Sequence, residues 1–126
     1  MSTITVTNIK ATGETASRSV SGVAAMYISI DQSSPTSILK SLNVSSIVDN
    51  GSDSTSTNYT NNFSDSNYAT TYGLREGSGE NDFRAVMGST TSGYYTSSSQ
   101  RCYGAGYDGG DASLNFMFLV SHGDLS

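Results

Sequence analysis

Apolar residues recur along this chain with a period of two. In Val23–Asp31, Ala24, Met26, Ile28 and Ile30 fall on one side of an extended chain, and Ala25, Tyr27 and Ser29 on the other. In Ala112–Ser121, Leu114, Phe116, Phe118 and Val120 share one side, while Asn115, Met117 and Leu119 take the other. Such alternation marks a strand, whose successive side chains point to opposite faces of a sheet. The second segment is apolar on both sides, as expected of a central strand or of one that meets another subunit. A helix would need apolar residues every three to four positions over about a dozen good helix formers, and no such stretch occurs. Weaker strands are predicted over Ser37–Leu42, Asn43–Val48, Thr55–Thr60, Asn67–Arg75, Asp82–Met87, Tyr94–Ser98 and Arg101–Gly106. Gly-rich punctuation at 77–81, 88–93 and 108–111 separates them. Asp49-Asn50-Gly51 predicts a hairpin in which Asn and Gly both accept positive φ. The pattern as a whole predicts an all-β, antiparallel β-sandwich of jelly-roll-like form.

Residues 1–22 are patterned differently. Ile4 and Val6 alternate with threonines within Thr3–Ile9, and a small, polar stretch follows from Ala11 to Ser19. This predicts a short extended N-terminal arm and linker ahead of a sandwich domain over 23–126. A single strand is not stable in water, so the arm must pair within the domain or with another chain. Ile4, Val6 and Ile9 are its candidate anchoring residues.

With 126 residues the chain suffices for one domain. Lys and Arg total 6 against 11 Asp and Glu, a net charge of -5, and no segment clusters the cations. Nucleic acid is therefore not an expected partner, because neutralising phosphates needs a basic footprint. Charged residues make up 13%, about half the usual share, whereas Ser, Thr and Asn account for roughly two-fifths. Hydroxyls and amides, rather than salt bridges, hydrate such a surface. The single cysteine, Cys102, excludes an intramolecular disulfide. No apolar run approaches the ~20 residues that span a bilayer, so no membrane partner is expected. Residues 1–10 lack a basic-then-apolar leader, and assembly in a cytoplasm is expected.

Catalytic chemistry finds little footing. The one histidine, His122, lies near the C-terminus and reads as a solvated tail residue. Most carboxylates fall in predicted turns, where Asp is favoured for its local hydrogen bonds. Asp49–Asp53 and Asp108–Asp111 place oxygen ligands on tight turns but do not match a twelve-residue calcium loop. No enzyme activity, metal or cofactor is expected. The segment from Gly93 to Tyr107 combines Tyr, Ser, Gly and Arg, the composition of adaptable binding surfaces. Tyr94, Tyr95, Arg101, Tyr103 and Tyr107 are its candidate recognition residues, carried on loops around 88–93 and 100–111.

Residues 41–51, Ser-Leu-Asn-Val-Ser-Ser-Ile-Val-Asp-Asn-Gly, are followed by Asn58-Tyr59-Thr60 and then Phe63-Ser64-Asp65-Ser66-Asn67-Tyr68-Ala69. With the closing strand Ser113–Val120 and the opening Met1–Val6, this resembles a β-sandwich module of tail-fibre and virion-surface proteins of marine bacteriophages. The resemblance spans about residues 23–121 and is sharpest over 37–70. The family's alternating strand usually carries an aromatic residue and a valine where this chain has Thr55 and Thr57. The resemblance implies a virion-surface protein, a small fibre or capsid-decoration subunit such as a capsid knob or short tail fibre. It implies a homotrimer whose arm contacts other capsid or tail proteins, and contact with a glycan or protein of the host surface. A carbohydrate-binding adhesin module at a fibre tip is the alternative.

Overall fold

The computed structural model describes residues 8–9, 18–19, 24–33, 35–51, 54–75, 84–88, 93–106 and 115–126. Among them the chain forms strands and no helix: β1 (Asn8–Ile9), β2 (Arg18–Ser19), β3 (Met26–Asp31), β4 (Ser37–Leu42) and β5 (Val44–Asp49), then β6 (Ser54–Tyr59), β7 (Ala69–Arg75), β8 (Arg84–Gly88), β9 (Ser99–Gly106) and β10 (Phe116–His122). Two four-stranded antiparallel sheets, ordered β4-β3-β10-β7 and β5-β6-β9-β8, make an all-β sandwich. β1 and β2 pair with each other, Asn8 with Ser19 and Ile9 with Arg18. The end of the expected arm strand thus finds its ladder partner in the stretch that follows it. Ile4 and Val6 lie outside the described residues.

The inner face of the first sheet is aliphatic. Met26, Ile28 and Ile30 from β3 and Met117 and Leu119 from β10 are all 2% exposed or less. The inner face of the second sheet is polar by comparison: Thr55, Thr57, Gln100 and Cys102 are equally buried. Partners span the gap. Gln32 Nε2 donates to Thr55 Oγ1, and the Cys102 thiol lies 3.5 Å from the Thr55 carbonyl and 3.9 Å from Met117 Sδ. Thr70 on β7 lies 3.1 Å from Gln100 Oε1 on β9 and 2.7 Å from Ser121 Oγ on β10.

One end of the sandwich is closed by aromatic rings. The connection from β6 to β7 crosses between the sheets and carries Phe63 and Tyr68. The Tyr68 ring lies between Phe63, at 4.0 Å between centroids, and Tyr95, at 4.5 Å, with Tyr59 edge-on to Phe63 and Tyr68. Edge-on and offset arrangements are those that ring quadrupoles favour. Tyr59 donates to the Tyr68 hydroxyl at 2.8 Å, which donates to the Thr96 carbonyl at 2.9 Å. Tyr95 donates to the Tyr68 carbonyl at 2.6 Å. The C-terminal segment packs alongside. A Cβ on Gly123 would come within 2.7 Å of Tyr68 Cβ, so a side chain there would have to displace the ring.

A single residue turns the chain from one sheet into the other between β4 and β5. Asn43 has φ of 58°, a left-handed conformation that Asn tolerates better than most residues. Its side chain accepts from the Asn61 amide at 2.7 Å and donates to the Asn61 carbonyl at 3.0 Å, tying the corner to the end of β6.

Three expectations need correction, and the inner side of β10, which its two apolar sides left open, is decided. The turn does not take the two-residue form with positive φ at both Asn50 and Gly51: the Asn50 N–H already bonds the Ser54 carbonyl across the strands, and of these two residues Gly51 alone takes a positive φ, of 120°. Asp49 accepts the Gly51 N–H at 2.9 Å and Asn50 reaches Ser56 Oγ at 2.9 Å, so side chains hold the turn. Residues 94–98 form a turn instead of a strand, with Thr96 Oγ1 accepting the Ser98 and Ser99 N–H groups. β10 buries Met117 and Leu119, while Phe116, Phe118 and Val120 face outward. His122 is no tail residue: it ends β10, half-buried, opposite Ala69 of β7.

Thr57 marks a cost in this core. Its side-chain oxygen is buried and finds no hydrogen-bond partner among the described residues. An unsatisfied buried hydroxyl costs ~1–3 kcal/mol, and an isosteric methyl removes that cost without opening a cavity. Thr57→Val should therefore raise the unfolding free energy by about 1 kcal/mol, read from urea denaturation as a higher midpoint at unchanged slope.

Candidate functional site

The outer face of the β5-β6-β9-β8 sheet gathers three of the candidate recognition residues, Tyr94, Arg101 and Tyr103. Ladder pairing sets this face. Thr55, Thr57 and Tyr59 point inward, so Ser54, Ser56 and Asn58 take the other side and lie opposite Tyr103, Arg101 and Ser99 of β9, with Ser54 itself buried against Arg101. On the flanks Ser46 and Val48 of β5 join the same rows, as do Ala85 and Met87 of β8. Residues 101–106 are thus in a strand, as their pattern predicts, and a central one, so the recognition residues among them sit on a sheet and not on the loop expected around 100–111. The reason is their pairing on both sides: Gly104 sits inside the sheet opposite Val86.

Arg101 is the centre of this face. Its Nε donates to Ser54 Oγ at 2.7 Å, and its guanidinium carbon lies 4.7 Å from the centroid of the Tyr94 ring. The Arg101 backbone N–H also donates to the Tyr94 carbonyl at 2.7 Å, which holds the turn against the strand. With Nε engaged, the guanidinium plane is fixed beside the ring, an arrangement stabilised by the attraction of a cation to the ring face. Tyr94 is 40% exposed, and Met87 and Val48 are comparably open. Tyr103, half-buried, completes the row between Ser54 and Met87.

Tyr95 does not belong to this face. It turns inward, stacks on Tyr68 and bonds the Tyr68 carbonyl. Burial pushes its hydroxyl above the ordinary tyrosine range. The two adjacent tyrosines therefore have opposite roles, set by the turn that Thr96 closes. Tyr107 lies outside the described residues, and the side chain of Ile9 is not described. Ser54, Met87 and Val48 escape a reading of the sequence, because only the register of β5 and β8 on their neighbours brings them beside Arg101.

Three carboxylates of the described residues are employed locally. Asp31 accepts the Ser33 N–H at 2.9 Å, Asp49 the Gly51 N–H, and Asp65 the Asn67 N–H at 2.7 Å. The bonds from Ser33 hold the Asp31 carboxyl below the usual range, and the Gly51 and Thr36 bonds do the same for Asp49. Among the described residues no three His, Cys, Asp or Glu side chains converge as metal ligands. A cleft lined by Phe63, Asp65, Tyr68 and Asp124 has a volume of about 180 Å³, below the ~300 Å³ where small-molecule pockets begin. What the Arg101 face offers is instead a flat platform, with an aromatic ring, a fixed guanidinium and a border of hydroxyls and one amide. Such a surface can stack on a sugar ring or bury against a protein.

Compared with known proteins, this chain matches no family model, no curated protein and no solved structure.

Neighbouring tyrosines separate surface from scaffold. Tyr94→Ala should change stability by no more than ~0.5 kcal/mol, as expected for a surface change. Tyr95→Ala should cost at least about 2 kcal/mol, approaching the ~3–5 of a fully buried aromatic. Thermal denaturation of the two variants against wild type makes the comparison.

Proposed function

We propose that this chain is a non-enzymatic structural subunit of a bacteriophage virion, a small surface fibre or capsid-decoration protein. Its sandwich projects outward, its arm contacts other capsid or tail proteins, and the Arg101 face meets the host surface. The observation that carries the reading is where the phage-like motif falls in the fold. Residues 41–51 contain the Asn43 corner, β5 and the start of its turn. Residues 58–69 contain Tyr59, Phe63 and Tyr68, three of the four rings that close the sandwich. The residues shared with phage modules are thus those that join the two sheets. Arg101, Tyr94 and Tyr103 lie outside that stretch, on an outer face that can vary without disturbing the joint. A fixed scaffold with variable contact residues is how such sandwiches divide their labour.

One observation favours the adhesin alternative as a refinement: the Arg101–Tyr94 pair at 4.7 Å is a ready platform for a carbohydrate ring. Binding of the pure protein to a host glycan would select it, and binding to a surface protein would select plain attachment.

Antibodies against this chain should decorate intact phage particles in electron micrographs. Particles carrying Arg101→Ala with Tyr94→Ala should assemble normally and adsorb to host cells about tenfold less or worse, the effect of losing one interface anchor. Absence of the chain from purified particles would refute the virion reading. Unchanged adsorption would remove the Arg101 face from host contact.

A further inference from the structure

The first sheet also has an outer face, and it is built differently. β10 lies between β3 and β7, with Phe116, Phe118 and Val120 pointing away from the core. Pairing extends the Val120 row through Tyr27 to Leu42, and the Phe118 row through Ser29 to Lys40. On the other side Phe118 lies opposite Gly73, whose missing side chain leaves the ring packed over bare backbone. Phe116 pairs with Asp31 and with Arg75, whose guanidinium lies 4.1 Å from the Phe116 ring centroid. Leu42 is 48% exposed and Leu39, displaced at a register shift in β4, 54%. Four strands at ~4.8 Å spacing and six or seven residues at ~3.4 Å give a face of roughly 400 Å² in projection. Its apolar part is the row of Phe116, Phe118 and Val120 with Tyr27 and Leu42, bordered by Ser29, Asp31, Lys40, Thr71 and Arg75, and apolar rows rimmed by polar residues are where contact surfaces form. The outer face of the opposite sheet carries Ser46, Ser56, Asn58 and Ser99 between its own exposed apolar residues, Val48, Met87 and Tyr94, and has no aromatic row along a central strand.

We propose that this face, centred on Phe118, docks on another copy of the same chain. Charge selects that occupant. The chain carries a net charge of -5, so copies repel each other over most of their surface. On this face Lys40 and Arg75 flank Asp31, giving both signs within one patch. A second copy can set its Asp31 against Lys40 or Arg75 while the aromatic rows meet, which is complementarity of a surface with itself. The choice of a copy also rests on the reading of the chain as a repeated virion subunit. Docked this way, the Arg101 face of each copy points outward, on the far side of the sandwich.

Full-length protein at micromolar concentration, studied by light scattering, tests the proposal. Wild type should be oligomeric. Phe118→Asp should weaken association about thirtyfold or more, as loss of a central anchor does, with the β circular dichroism retained. Ser56→Asp, on the other sheet, should leave association unchanged. A second measurement stands if Phe118→Asp does not fold. Cys102 is fully buried and its thiol is pushed up to about 12 by burial, so a nitroxide can be attached to Ser29→Cys alone. Labels on this face should couple strongly between copies, and labels on Ser56→Cys should not. A monomeric wild type, or an oligomer whose Ser29 labels do not couple, would overturn the proposal. Electron microscopy of particles decides the virion reading separately: a chain found on particles but monomeric fails here alone, and a chain absent from particles but paired through Phe118 fails there alone.

Discussion

Tyr68 is the residue on which this sandwich turns. A chain with so few large aliphatic residues cannot hold two sheets together by hydrocarbon alone, and its second sheet offers Thr55, Thr57 and Gln100 to the core. The Tyr68 ring answers that shortage by filling the space between Phe63 and Tyr95. An aromatic side chain buries ~150–250 Å², and here each tyrosine also brings a hydroxyl whose partner lies inside the cluster. Desolvation holds the Tyr59 and Tyr68 phenols far above the ordinary range. These groups are stable only while neutral, so the cluster is a polar core kept uncharged.

The same economy shapes the outer faces. Because the rings and the hydroxyl contacts of Thr70, Gln100 and Ser121 supply the joint between sheets, β10 can place Phe116 and Phe118 on its outer side. One sheet therefore presents an apolar face with both charge signs, and the other a hydroxyl-lined face around Arg101. The proposed division of the sandwich into a side that assembles and a side that recognises rests on that asymmetry.

Much of this was legible in the sequence, and its limits have physical causes. Strands β3, β4 and β7 stand where alternation and punctuation put them, because a half-buried strand writes its period into the chain. The face of β10 was not legible. Both of its sides are apolar, and only the contact of Met117 and Leu119 with the core says which is inside. Arg101 was visible as a candidate by residue type, but its partner Ser54 is 47 positions away and is set by register. Tyr94 and Tyr95 look alike in sequence; the turn closed by Thr96 decides which faces solvent.

The joint between the two sheets depends most directly on the neutrality of Tyr68. Its hydroxyl has an ordinary value of 10.0 in an unfolded chain and a higher one here. Above about pH 10 the unfolded state therefore binds fewer protons than the native one, and stability falls as pH rises; below that the contribution is fully present. Nuclear magnetic resonance through an alkaline titration can follow the Tyr68 ring together with the amides of Cys102 on β9 and Leu119 on β10. The ring should stay neutral past pH 10, and ring and both amides should then lose their native signals at one midpoint. Ionisation of Tyr68 near pH 10 with both sheets intact would contradict the claim that this ring holds them together.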